Sequence, residues 1–198
     1  VAVLAAAPPG VKQACNFASK ISLLAAQPQP CNGTGMSSPA ANSIALLERL
    51  VAFDTTSRNS NLELIQHIQG YLGEHGVEST LVPNDEGTKA NLYASIGPPA
   101  PGGIVLSGHT DVVPVDGQAW DSDPFALTAK TDGNLYGRGT CDMKGFIAAC
   151  LSHVPALQRA KLKVPMHFAF SYDEEIGCLG AHSLAEKLMG NVPRPQAV

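Results

Sequence analysis

The chain has 198 residues, 44% of them hydrophobic and 15% charged, with a formal net charge of −4. This supports one ordinary domain with a sizeable core. The acidic balance excludes a strongly basic nucleic-acid surface, the apolar content excludes a highly charged disordered chain, and no run reaches the roughly 20 apolar residues of a membrane span. Its five cysteines, Cys15, Cys31, Cys141, Cys150 and Cys178, form no C-x-x-C. An odd number at irregular spacing predicts reduced thiols and a cytoplasmic setting rather than a disulfide framework.

Residues 1–35 show no sustained period and are broken by Pro, Gly, Gln and Asn. They are expected to be a poorly ordered extension, with the folded unit over residues 36–198. Ile44, Leu47, Leu50 and Val51 repeat at helical spacing after Asn42 or Ser43 as cap. Leu62, Ile65, Ile68 and Leu72 form a second stripe that stops at Gly76. Strands are predicted over Val77–Val82, Asn91–Ile96 and Gly103–Ser107. Thr131-Asp132-Gly133-Asn134 reads as a turn between Ala126–Lys130 and Leu135-Tyr136. A helix from about Met143 should be kinked or split at Pro155. Val164–Tyr172 alternates with period two and predicts a strand, followed by a helix over Leu179–Met189 and a new strand opening at Pro195–Val198. Strands alternating with helices indicate an α/β layered fold with a mixed sheet.

Three polar clusters follow strand-like runs or tight turns, the place where open α/β sheets collect ligands. In Gly108-His109-Thr110-Asp111, an imidazole suits zinc-like metals, and a carboxylate two residues on can orient it. Gly137-Arg138-Gly139-Thr140-Cys141-Asp142 puts a carboxylate before a helix, where it can bridge two cations. Asp173-Glu174-Glu175 stacks like charges that need a cation or a proton for compensation. If the backbone stays extended there, Glu175 and Glu174 diverge, one toward a metal and one toward a water. Taken singly, each cluster reads equally as a polar strand end, a helix N-cap or an acidic first turn. Together they offer one imidazole and several carboxylates, a set suited to zinc, cobalt or manganese.

These segments, with Ser107–Pro114 and Asp173–Gly177 in full, resemble the co-catalytic metallopeptidase family that contains acetylornithine deacetylase, succinyl-diaminopimelate desuccinylase and glutamate carboxypeptidases. The resemblance covers residues 36–198. It implies an incomplete three-layer zinc-peptidase-like catalytic domain, without the second, dimerisation domain through which full-length members form homodimers. It implies two Zn2+ ions, with Co2+ or Mn2+ as substitutes. His109 would bind one metal, Asp142 would bridge both, and Glu175 would bind the other. Asp111 would support the His109 side, and Glu174 would be the general base that activates the attacking water and protonates the leaving amine. Phe53–Asn61, Lys89-Ala90-Asn91-Leu92 and Thr140–Ile147 are most similar to the acetylornithine deacetylase branch. That implies hydrolysis of N2-acetyl-L-ornithine to ornithine and acetate in arginine synthesis, with other small N-acylated amino acids as alternative substrates. Family members are about twice this length and carry further ligands downstream, so these 198 residues are expected to bind metal weakly and turn over little, or to act as a non-catalytic binding fragment. Trp120 is expected at the site rim, His153 and His182 on helix surfaces, and Cys141, Cys150 and Cys178 as small packed residues.

Overall fold

The computed structural model describes residues 14–15, 39–188 and 195–198. The expected extension over residues 1–35 therefore lies outside the described residues, apart from the short strand β1 (Ala14–Cys15). Two helices come first, α1 (Pro39–Val51) and α2 (Leu62–Glu74). α1 starts before the predicted cap, so Asn42 and Ser43 lie inside it. Ser43 Oγ instead bonds Ser152 Oγ at 2.9 Å, where a small polar side chain lets two helices approach.

Strands β2 (Ser79–Pro83), β3 (Ala90–Ile96) and β4 (Ile104–His109) follow, then the hairpin β5 (Thr128–Ala129) and β6 (Leu135–Tyr136). Helices α3 (Lys144–Ser152) and α4 (Val154–Arg159) are two pieces separated at His153. Pro155 falls in the first turn of α4, where its missing N–H costs nothing. Strand β7 (Met166–Ser171) and helix α5 (Leu179–Leu188) complete the order. The end predicted for this helix, Met189, is outside the described residues.

The main sheet has the order β2-β3-β7-β4. β3 pairs antiparallel with β2 and β7, and β7 pairs parallel with β4, so the sheet is mixed. β7 is thus central, and a central strand must be apolar on both faces. Phe168 and Phe170 enter the large core beneath α1, α2 and α3, while Ala169 packs with Val82 and Leu184 under α5. This gives three layers, helices on each side of one sheet. The strand predicted to open at Pro195–Val198 contributes a single parallel bridge, Ala197 to Ile104, beside β4. The small sheet has the order β1-β6-β5.

Of the three cysteines expected to be packed, only Cys150 is buried; Cys141 and Cys178 are exposed. The two exposed ones lie on the segments that lead into α3 and α5. His153 and His182 are exposed as expected.

Candidate metal centre

β4 and β7 end side by side. Their pairing continues past the strands, with Thr110 donating both its N–H and its hydroxyl to Ser171 O at 2.8 and 2.9 Å. The parallel register therefore delivers residues 109–111 and 173–175 to the same edge. A third segment is fastened beside them: Ser57 N–H donates to Val112 O and Val112 N–H to Thr55 O, both at 3.1 Å. The fourth arrives through the turn that precedes α3. Gly139 adopts φ +82 there, and a Cβ would stand 2.8 Å from Val112 Cγ1, so the close approach requires glycine.

His109 lies at the focus, with its side chain 7% exposed. Its Nδ1 bonds the Asp111 carbonyl oxygen at 3.0 Å and stands 3.5 Å from Asp111 Oδ1. Its Nε2 faces Asp142 Oδ1 at 3.0 Å and Glu174 Oε2 at 3.8 Å. Donor atoms of His109, Glu174 and Glu175 all lie within 4.8 Å of one another. The predicted site residues are thus assembled, with Asp142 joined through its contact with His109 and Asp111 behind the imidazole.

Two sequence-based expectations are revised. Asp142 does not cap α3: the cap position is Met143, and it makes no side-chain cap bond. Glu174 and Glu175 do not diverge along extended backbone either. Residues 174–177 form a turn in which Glu174 O accepts from Gly177 N–H and Cys178 N–H, each at 3.1 Å, and both carboxylates meet His109.

Electrostatics follow from this crowding. Burial disfavours an imidazolium at His109, but bonds and charges from Asp111 and Asp142 override it and hold the pKa up at about 10. Burial likewise opposes charge on Asp111, yet His109, Ser57 and the Glu174 N–H hold its pKa down at about 2. His109 also lowers Asp142. Glu175 is raised, first by burial and then by the neighbouring Asp142 charge. One imidazole nitrogen facing several carboxylates is a donor set that fits a divalent cation of the zinc, cobalt or manganese type.

The sequence reading gave no role to Ser57. Its hydroxyl donates to Asp111 Oδ2 at 2.6 Å, and only the tertiary contact reveals it. Arg138 is buried, its guanidinium 5.2 Å from the Trp120 ring centroid.

The sequence model of Peptidase family M20/M25/M40 matches residues 105–198. An acetylornithine deacetylase of Shigella sonnei (strain Ss046) is 44% identical over 129 residues, covering 64% of this chain and 33% of that protein. Human carnosine dipeptidase 1 superposes with a TM-score of 0.63 at 30% identity, over 75% of this chain and 35% of its own. An M20 family metallo-carboxypeptidase from Sulfolobus solfataricus gives a TM-score of 0.68 at 23% identity, over 78% of this chain and 36% of its own. The chain therefore spans about a third of the length of these relatives. Residues 105–198 are thus similar in sequence to Peptidase family M20/M25/M40, and the mixed α/β fold is similar to part of these solved structures.

Proposed function

We propose that this chain supplies one side of the active site of a metal-dependent amide hydrolase acting on small N-acylated amino acids, with N2-acetyl-L-ornithine as the leading substrate. The observation that carries the reading is the meeting of His109, Asp142, Glu174 and Glu175 from three separate segments at one sheet edge. The 44% identity to an acetylornithine deacetylase supports the choice of substrate, and arginine synthesis in the cytoplasm is the setting that follows from it.

In this reading His109, Asp142 and Glu175 would hold the divalent cations, zinc first among the candidates. When bound, such a pair polarises an amide carbonyl and offsets the negative charge of the transition state. The Asp111 carbonyl oxygen orients the His109 ring through Nδ1 so that Nε2 points into the site, and the Asp111 carboxylate, fixed by three hydrogen bonds, stands 3.5 Å behind the same nitrogen. Glu174 is the general base: it takes the proton of the attacking water and returns it to the leaving nitrogen. Its side chain is 45% exposed and so remains open to substrate and solvent.

The test uses a version extended beyond Val198 as well as the 198-residue chain. Glu174→Gln should retain metal, measured by calorimetry with Zn2+, and lose turnover by roughly two to four orders of magnitude. Undiminished turnover would overturn the assignment of the base. Side-by-side assays of acetylornithine, succinyl-diaminopimelate and acyl-glutamates decide the acyl-amino-acid class, and preference for either of the last two would replace the leading substrate. Folding and metal content of residues 36–198 alone test whether these residues form the working unit.

A further inference from the structure

Glu174 and Glu175 follow a residue whose backbone is unusual. Asp173 has φ 55, in the left-handed region that non-glycine residues seldom enter. It is also a buried acid, with its side chain 8% exposed. A buried carboxylate in that conformation persists only where its surroundings hold it. The holding group is Lys89, at the foot of β3 and itself mostly buried. Its ammonium pairs with Asp173 Oδ1 and donates a second hydrogen bond to Ser57 O.

These contacts close a ring. Lys89 joins Asp173 to the Ser57 carbonyl; the Ser57 hydroxyl donates to Asp111 Oδ2 at 2.6 Å; and Asp111 accepts the N–H groups of Glu174 at 3.0 Å and Glu175 at 3.2 Å. Four stretches of chain meet in it, and one side of the ring is the backbone that carries both glutamates. Lys89 is the ring's one cation. Without it, Asp173 would be a buried, unpaired charge at the hinge of the turn, and relief of that charge would rotate the turn.

We propose that Lys89 is a positioning residue for the reaction proposed above: through Asp173 and Ser57 it fixes the turn that presents Glu174 and Glu175 to His109. It acts through Asp173 and Ser57, not by contact with substrate or cation. The role rests on the metal-hydrolase reading for its purpose, but the positioning itself is measurable without metal.

The experiment is amide hydrogen exchange on the metal-free chain. In Lys89→Met, exchange at the Glu174 and Glu175 amides should accelerate by roughly tenfold or more, while Phe168 and Phe170 in β7 keep wild-type protection. Lys89→Arg, which keeps the charge, should restore most of the protection at the two glutamates. A role in stability alone would accelerate β7 as much as the turn, and that uniform change, or no change at the glutamates, overturns the proposal. Should Lys89→Met fail to fold, Lys89→Met/Asp173→Asn removes the unpaired charge and the same two amides are read. Co2+ titration of the version extended beyond Val198, followed by visible absorption, tests the metal reading separately. Absence of cobalt binding there would remove that reading and leave the exchange result to decide Lys89.

Discussion

Replacing Asp111 with asparagine tests the support behind His109 most directly. Asp111 is 2% exposed, and its two oxygens have different donors. Oδ1 accepts the Glu174 N–H, and Oδ2 accepts both the Glu175 N–H and the Ser57 hydroxyl. A peptide N–H can only donate, whereas an asparagine amide has a single oxygen. Whichever way the new amide is oriented, its NH2 group therefore turns toward one of the two peptide N–H groups. A buried donor left unsatisfied costs about 1–3 kcal/mol, and the surviving bonds lose the extra strength of a charged acceptor. Asp111→Asn should thus destabilise the chain by about 3 kcal/mol, although it keeps the side-chain volume. Ser57→Ala should cost only about 1 kcal/mol, because it removes a donor and leaves the carboxylate its two peptide partners. Urea unfolding near neutral pH measures both. A value for Asp111→Asn within about 0.5 kcal/mol of wild type would refute the account, since surface substitutions give changes of that size.

Further outcomes follow from other parts of the structure. Lys144 is fully buried with its Nζ donating to Phe53 O at 2.6 Å, and burial holds its pKa down at about 7 instead of 10.5. Between those values the folded chain binds fewer protons than the unfolded one, so this group makes stability rise with pH across that window. Lys144→Met should then be the more stable protein by a few kcal/mol near pH 6, lose that advantage through the window, and become the less stable one near pH 10 for want of the hydrogen bond. A stability difference independent of pH, from urea unfolding at several pH values, would contradict it. Gly180 lies in the first turn of α5, where alanine is intrinsically favoured by about 1 kcal/mol. A Cβ there would stand 2.6 Å from Asn91 Oδ1 and 2.7 Å from Tyr172 N, so Gly180→Ala should lower the thermal midpoint. A raised midpoint would mean that α5 yields freely against β7.

Much of this molecule is written in short-range pattern. The stripe Leu62, Ile65, Ile68, Leu72 and the alternation through Val164–Tyr172 mark α2 and β7, because periods of 3.6 and 2 follow from backbone geometry alone. Pro155 divides α3 from α4 for an equally local reason. His109, Asp142, Glu174 and Glu175 were legible as chemistry only in combination and through the family resemblance, since each cluster alone also serves as an ordinary strand end, cap or acidic turn. What the pattern could not supply was placement. The order β2-β3-β7-β4 inserts the last main strand between two earlier ones. That choice depends on pairing between residues far apart along the chain, and it alone brings Glu175 to His109. The turn over residues 174–177 was equally hidden, because it follows Asp173, which is left-handed and paired with Lys89 from a distant part of the chain. Local sequence decided which groups are present and which segments are helix or strand. Long-range hydrogen bonds and one buried ion pair decided where those groups face, since such contacts form only after the layers have packed.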